Sequence, residues 1–341
     1  MRHFSLRSLV LPALAALILL LGSCAHNSAN VYPLGSAYPK YENLQKDIMN
    51  ICALNPDLAR YRIIGFSGTE EIPLFVMEIG KGKRNILIIG QHHGDEVLGV
   101  AFSLHWARTL MEGYPRDKKL KRLLEENTIC IIPTINPEGL RIVSSGLLQF
   151  KRKNNRDTDR NKKLDLRTDG VDLNRNYPIF WDLDPDTNVL SPYYKGTAPA
   201  SEPEVQAVMS LAQRVAFDLA IFYHSSASGA YSEKIYLPAV TEKTEQFLAL
   251  ERLADFYARQ VPRDYYKGTY SLHWGATSRV GNARNYFFHR LSVPAMLIEI
   301  GGINRQGRSI IHPEDRQQQK IMRKHTKALI KLLTEEKLWT F

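Results

Sequence analysis

The chain has 341 residues, 44% of them hydrophobic and 23% charged, a composition that excludes a disordered tail and suits one large domain or two small ones. The net charge is +10, yet the densest basic run, 151–163, is interrupted by acidic and amide residues, so we expect no nucleic-acid partner; the charge suits anionic substrates or a cell envelope. Three cysteines without a CxxC pair exclude a disulfide framework and a cysteine zinc site.

The N-terminal residues resemble an export signal. Two arginines precede the apolar run 9–21, which has the length of a signal-peptide core and is too short to span a bilayer of roughly 30 Å. The run leads into an LGSC motif that resembles the lipobox of bacterial lipoproteins. We predict a lipoprotein signal peptide over 1–23, and lipidated Cys24 with a polar tether over 24–39. The protein would then be anchored in the bacterial cell envelope on the extracytoplasmic or periplasmic side; a short membrane anchor with a chance cysteine is the alternative.

The rest of the chain, 40–341, contains no internal repeat and is predicted to form one catalytic domain. Apolar residues at helical spacing predict a helix from Leu44 to Cys52, which the following Asn-Pro pair ends. The segment 201–204, Ser-Glu-Pro-Glu, has the form of a capping box with proline in the first turn. The other predicted elements are a hairpin of strands 60–66 and 72–79, a helix from the capping box to about Val215, and a last helix over about 313–338.

Three apolar runs, 85–90, 217–223 and 295–298, are long enough for strands and lack an alternating polar face. Such runs suit the buried middle of a sheet. With helical patterns between them, they predict a single α/β domain with a central mixed, mostly parallel sheet flanked by helices on both faces. In such sheets ligands bind at the carboxyl ends of the strands, where each of these runs meets a candidate catalytic residue.

The first run is followed by His92, His93 and Glu96, the second by His224 and the third by Glu299. A catalytic zinc site uses three protein ligands and keeps a fourth position open for water. His93 and Glu96 form a close pair with His224 as a distant third, but the HxxE spacing alone is a weak pattern. Polar loop residues at a strand end are the plain alternative.

A second polar segment, 169–177, combines carboxylates, amides and a guanidinium. The planar fork of Arg175 can grip both oxygens of a carboxylate while the amide of Asn174 supplies a further donor. The segment therefore predicts a carboxylate-binding pocket, with a polar surface loop as the alternative.

Five motifs follow one another along the chain: HGDE at 93–96, DLNRN at 172–176, SEPE at 201–204, HS at 224–225 and IEI at 298–300. In this order they resemble the zinc metallocarboxypeptidases of the carboxypeptidase A type, over roughly residue 41 to the C-terminus. The resemblance implies a zinc carboxypeptidase-like fold, one Zn²⁺ per chain, and hydrolysis of a C-terminal peptide or isopeptide bond by metal-activated water. With the leader, it predicts a bacterial lipoprotein member of this family.

The resemblance also assigns the metal site. His93, Glu96 and His224 become the zinc ligands, with His92 as the alternative if the loop is shifted by one residue. Asp172 matches the residue that orients a ligand histidine, a role that makes chemical sense because a carboxylate on the second imidazole N–H fixes the tautomer.

For catalysis the resemblance implies two residues. Glu299 is the base that takes the proton of the attacking water, and Arg152 is the cation that polarises the scissile carbonyl. Asn174 and Arg175 hold the terminal carboxylate of the substrate.

One position departs from the family pattern. The mobile tyrosine that many members carry falls on Thr277 here, and we consider Tyr270 or Tyr286 as substitutes. Arg284 lies near the position at which members set side-chain preference, and we expect it to select an acidic or carboxylate-bearing terminal residue.

The expected substrate is a peptide, and the predicted location makes peptidoglycan stem peptides a natural choice. Two alternatives stay open at this point. One is a zinc deacylase of the aspartoacylase type, and the other is a non-catalytic envelope lipoprotein that uses the fold for binding.

Overall fold

The computed structural model describes residues 34–339 except 227, 276, 277, 305, 307 and 308. The predicted signal peptide, Cys24 and Thr277 lie outside the described residues. Within the described part, no helix combines the length and the apolar character needed to cross a membrane.

The described part folds into one α/β domain. Its helices are α1 (Tyr41–Ala53), α2 (Val97–Gly113), α3 (Lys118–Glu126), α4 (Pro137–Ser144), α5 (Pro203–Arg214), α6 (Glu245–Gln260), α7 (Ala283–Leu291) and α8 (Asp315–Thr334). Its strands are β1 (Ala59–Phe66), β2 (Pro73–Gly80), β3 (Arg84–Ile89), β4 (Asn127–Ile132), β5 (Leu219–His224), β6 (Lys234–Tyr236), β7 (Ser271–His273), β8 (Ala295–Glu299), β9 (Gly302–Ile303) and β10 (Ser309–Ile310).

Eight strands form a mixed sheet in the order β1-β2-β4-β3-β5-β8-β6-β7. The central strands β4, β3, β5 and β8 run parallel to one another. β1 and β2 form the predicted antiparallel hairpin at one edge, and β6 pairs antiparallel with β8 near the other. The prediction of a central mixed, mostly parallel sheet flanked by helices is confirmed.

The central strands are buried on both faces, as their unbroken apolar runs predicted. Ile86 and Ile88 of β3 belong to the larger core, beneath α1, α2, α6 and α8. Leu87 and Ile89 alternate with them and belong to the second core, with α5 and α7. The two remaining cysteines divide in the same way: Cys52 lies in the first core and Cys130 in the second, and neither forms a disulfide within the described part of the chain.

The parallel register determines where the site forms. Ile89 pairs with Phe222 and His224 pairs with Glu299, so β3, β5 and β8 end together at one edge of the sheet. The three strand ends that the sequence singled out are therefore neighbours in space.

The predicted capping box is wrong. The helix begins as expected at Pro203, but Glu202 precedes it without a side-chain cap, and Ser201 Oγ donates instead to Glu202 Oε1. Glu204 turns away from the helix start because its Oε1 accepts the backbone N–H of Gly68 in the hairpin turn. The last helix is also shorter than predicted, since α8 ends at Thr334 and a 3₁₀ turn follows.

Candidate metal and substrate site

The three predicted zinc ligands meet at the carboxyl edge of the sheet. His93 and Glu96 lie in the turn between β3 and α2, and His224 is the last residue of β5. All three are buried. His93 Nδ1 lies 2.8 Å from Glu96 Oε1, His224 Nδ1 lies 2.8 Å from Glu96 Oε2, and the two Nδ1 atoms are 3.2 Å apart.

This donor set fits zinc. Two imidazole nitrogens and one carboxylate, all within 4.8 Å of one another, are the ligand types of hydrolytic zinc sites. In a tetrahedral zinc site with metal–ligand distances of 2.0–2.1 Å, neighbouring ligand atoms lie about 3.3 Å apart. The observed separations of 2.8–3.2 Å are slightly shorter, so small outward shifts of the side chains would accommodate the ion.

Without a metal, the negative charge of Glu96 and a proton on His93 hold the three ligand residues together. Burial and Arg152 lower the pKa of His93, but Glu96 and Asp172 outweigh them and raise it to about 9. Burial raises the pKa of Glu96, yet its two histidine neighbours hold it below the usual range. Burial lowers the pKa of His224 to about 4. A metal ion would therefore displace a proton from His93 on binding.

Asp172 fixes the orientation of His93. Its Oδ1 lies 3.0 Å from His93 Nε2 and also accepts the backbone N–H of Asn174 at 2.9 Å. The carboxylate is fully buried, and burial raises its pKa, but Arg152 and His93 hold it well below the usual range. The ionised form is the one that orients the imidazole with Nδ1 directed at the metal position.

Arg152 reaches the site because its loop packs directly on the HGDE turn. Gly94 N donates to Arg152 O at 3.1 Å, and a Cβ at Gly94 would come within 2.5 Å of Lys151 O, so glycine is required for this approach. The Arg152 guanidinium donates twice to Asp172 Oδ2, at 3.0 and 2.8 Å. Its Nη1 lies 3.7 Å from Glu96 Oε1, beside the metal position.

Glu299 stands beside His224, its partner in the β5–β8 register. Its Oε2 is shielded from solvent and has no hydrogen-bond partner among the described residues. Burial and the nearby charge of Glu96 raise its pKa to about 8. An unpaired carboxyl group in such surroundings costs stability, and this pattern is typical of groups that transfer protons.

Asn174 and Arg175 flank the ligands on a 3₁₀ turn. Asn174 Oδ1 accepts the backbone N–H of Ala283 at 3.0 Å, and its Nδ2 lies 3.4 Å from His224 Nε2, so this amide already contacts a ligand imidazole. Arg175 donates to the carbonyl oxygen of Asn174 and lies 3.9 Å from Asp184.

Arg284 lies in α7 and is buried, with 6% of its surface exposed. Its Nε has no hydrogen-bond partner among the described residues, and its guanidinium lies 5.7 Å from the Tyr236 ring centre. Burial and Arg175 lower its pKa to about 10. A buried guanidinium with an unpaired donor is prepared for an anionic partner.

These site residues, with the exception of Asp172, line one cavity of about 600 Å³. Sequence reasoning missed Tyr193 in its wall, whose ring centre lies 5.1 Å from the Arg152 guanidinium and 5.6 Å from that of Arg175. Tyr193 thus holds both cations by cation–π contacts. It lies in an irregular stretch without periodicity, so no local signal marked it.

Three alternatives from the sequence lie elsewhere. His92 is outside the ligand trio: its Nε2 pairs with the Tyr177 hydroxyl, and its ring stacks on His224. Tyr270 is buried behind the sheet against His325, and Tyr286 packs on Tyr177. The proposal that Tyr270 or Tyr286 replaces the family tyrosine is therefore wrong, because neither lines the cavity.

Comparison with known proteins gives a consistent result. A model of the zinc carboxypeptidase family matches residues 45–328, which is more than half of the chain. Mast cell carboxypeptidase A from Homo sapiens is 29% identical over 211 residues, covering 59% of this chain and 48% of that protein. The chain spans about half the length of the curated relatives that it matches, or less.

Solved structures share the fold at low sequence identity. Bovine thrombin-activatable fibrinolysis inhibitor, in complex with tick carboxypeptidase inhibitor, superposes with a TM-score of 0.72 at 22% identity, over 87% of this chain and 97% of that one. Carboxypeptidase A from Helicoverpa armigera gives a TM-score of 0.73 at 18% identity, over 96% of this chain and 80% of that one.

Proposed function

Since this chain belongs to the zinc carboxypeptidase family, we propose that it is a zinc-dependent carboxypeptidase that releases one residue from the C-terminus of a peptide. One observation carries the proposal: the donor atoms of His93, Glu96 and His224 converge on one cavity. Glu299 and the arginines line the same cavity. When bound there, zinc activates water as a nucleophile and acts as a Lewis acid toward a carbonyl oxygen.

The protein's own groups supply the proton transfer and the positive charge. Glu299 Oε2, which has no hydrogen-bond partner within the described part of the chain, takes a proton from the attacking water and then delivers it to the leaving amine. Arg152 places Nη1 beside the ligand trio, where a fixed cation stabilises negative charge developing on the carbonyl oxygen. Asp172 holds that guanidinium and His93 in place at the same time.

The substrate is held by its terminal carboxylate. Arg175, with Tyr193 against its face and Asn174 beside it, lies across the cavity wall as an anion clamp. This clamp confines cleavage to the last peptide bond, because a chain without a terminal carboxylate loses the charged contact.

Arg284 is the element that selects the terminal side chain. Its unpaired Nε, buried in the same cavity, favours an acidic or carboxylate-bearing residue. Replacing Arg284 with alanine is expected to lower kcat/KM for acidic C-terminal residues by roughly 10–100-fold, since hydrogen bonds to charged groups are worth about 1.5–3 kcal/mol. Substrates with neutral termini serve as the internal control, and an unchanged ratio between the two classes would remove this role.

Peptidoglycan stem peptides are the substrate class that we favour. They carry several carboxylates, in keeping with the three arginines that line the cavity, and they are found in the envelope where lipidated Cys24 would hold the enzyme. The mass of the mature chain from a bacterial host tests the anchor: a diacyl or triacyl group on Cys24 supports it, and an unmodified or uncleaved leader contradicts it.

The activity is tested with zinc-loaded full chain and three substrate sets: ordinary peptides, peptidoglycan stem peptides and N-acyl amino acids. Products are identified by mass spectrometry, with Glu299→Gln as the control. Loss of single C-terminal residues from a peptide set supports the proposal. Hydrolysis confined to N-acyl amino acids would identify a deacylase, and zinc-dependent binding without any hydrolysis would identify a binding lipoprotein.

A further inference from the structure

The exposed face of α8 carries a stripe of positive charge far along the chain from the metal site. We call this surface the α8 stripe. It consists of five exposed residues: Arg316, Lys320, Arg323, Lys327 and Lys331. At 100° per residue they fall within an arc of about 80°, and at 1.5 Å per residue they extend over about 22 Å. The stripe is therefore straight, narrow and of one sign.

Among the residues that the structure describes, no acidic side chain pairs with the stripe. None of its five members forms an ion pair with a carboxylate of the residues that the structure describes, and Asp315, in the first turn, is the acidic residue of α8. Lys324, which is not part of the stripe, differs from its members: it is partly buried and forms an ion pair with Asp264 at 2.8 Å. Such an unbalanced helix face is typical of surfaces that bind polyanions.

The positive surface continues from the stripe across a groove of about 690 Å³ between α8, α2 and the start of α1. Arg323 lines this groove together with Arg108, His105 and Lys40. Asp47 is the acidic residue in the groove wall. The groove thus offers a concave cationic site wide enough for a headgroup, beside the stripe.

The chain enters the domain at this same face. Tyr38 donates its hydroxyl to Pro313 O at 2.9 Å, and Ser36 Oγ lies 3.3 Å from Asp315, so the first described residues pack on the beginning of α8. Ten Cα-to-Cα steps separate Cys24 from Leu34, which limits their separation to about 35 Å. A lipid on Cys24 therefore holds this face near the bilayer to which it is anchored.

We propose that the α8 stripe and its groove form a membrane-docking surface that binds the phosphate headgroups of anionic phospholipids. The inference rests on the lipid anchor proposed above and is independent of the carboxypeptidase activity. Near an anionic leaflet each Lys or Arg adds to the electrostatic attraction, and the anchor supplies the second signal that stable attachment requires. The attraction acts within a Debye length, so salt weakens it.

The test uses the full lipidated chain in nanodiscs of phosphatidylcholine, alone or with one third phosphatidylglycerol. Lysine acetylation rates are read residue by residue by mass spectrometry. We expect Lys320, Lys327 and Lys331 to react roughly threefold or more slowly in the anionic discs, and to recover at about 1 M salt, where the Debye length is about 3 Å. Lys162 and Lys163, exposed on a loop outside the stripe and its groove, serve as internal controls whose rates stay equal in both discs.

A matched pair of variants separates docking from net charge. Arg316→Glu with Arg323→Glu retains all three reporter lysines and is expected to abolish their protection. Arg160→Glu with Arg167→Glu makes the same change of net charge on an exposed loop and is expected to preserve it.

Three results would overturn the proposal. The first is an equal labelling rate of the three lysines in both kinds of disc, and the second is a mature chain that carries no lipid. The third is equal protection by a short RNA without discs, which would assign the stripe to a nucleic acid instead. Carboxypeptidase activity measured on the same samples is unaffected by any of these, so the two proposals fail separately.

Discussion

Replacing Glu299 with glutamine is predicted to stabilise the metal-free protein while removing activity. Burial and Glu96 raise the pKa of Glu299 from 4.5 to about 8, so the folded chain retains a proton that the unfolded chain releases. Between these two pKa values the unfolded state binds fewer protons than the folded state, and the free energy of unfolding therefore falls as the pH rises. Glutamine has the same shape but no charge to desolvate.

The magnitude follows from the pKa shift. At about 1.4 kcal/mol per pKa unit, the shift would lower the free energy of unfolding by about 5 kcal/mol at pH 8. We expect a decrease of about 2 kcal/mol, because neighbouring charged groups relax and reduce the effect. In a domain of this size that corresponds to a rise in Tm of about 4 °C for Glu299→Gln at pH 8. At pH 4, where Glu299 is protonated in both states, the two proteins should melt together. In the zinc-loaded enzyme, Glu299→Gln should lower kcat/KM by about 10²–10⁴-fold.

Differential scanning calorimetry of the two chelator-treated proteins at both pH values measures this, with Glu138→Gln as the control. Glu138 is fully buried, and its carboxylate accepts three backbone N–H groups, from Thr69, Glu70 and Asn155, so its replacement should lower Tm. A lower Tm for Glu299→Gln at pH 8, or a rise that is the same at pH 4, would show that the buried charge of Glu299 does not destabilise the fold.

Three further predictions concern the metal site and the fold. Asp172→Asn is expected to weaken zinc binding by about 10–100-fold in a competition titration, because His93 loses its charged orienting partner; unchanged affinity would contradict this. Zinc binding at pH 7 should release about one proton from His93, measurable by calorimetry in buffers of different ionisation enthalpy, and the affinity should rise with pH up to about 9; no proton release would count against the assigned charge state. Thr244→Ala should lower the free energy of unfolding by about 1 kcal/mol in denaturant titrations, because Thr244 caps the N-terminus of α6, whereas Thr244→Ser should be nearly neutral; equal losses in both would exclude the cap.

Strand-derived parts of the site were predictable from local sequence. Fully apolar runs mark strands buried on both faces, and parallel strands bring their carboxyl ends to one edge, so His224 and Glu299 were found from patterns within a few residues of each. The HGDE turn was found for the same reason, because it directly follows β3.

The loops were less predictable because distant contacts shape them. Arg152 reaches Asp172 because Asn154 N donates to Val171 O, a contact that no local pattern encodes. The capping box failed because Glu204 finds its partner at Gly68, 136 positions away. Tyr193 lies in an irregular segment, where spacing along the chain does not indicate position in space.

The proposed carboxypeptidase recognises a free terminal carboxylate, and one paired experiment detects this recognition. The zinc-loaded chain is given the same acidic-ended peptide as a free acid and as a C-terminal amide, and the products are weighed by mass spectrometry. We predict loss of one residue from the free acid and none from the amide, because the amide removes the charge that Arg175 holds. Equal cleavage of both peptides, or cleavage at internal bonds, would exclude recognition of the terminal carboxylate.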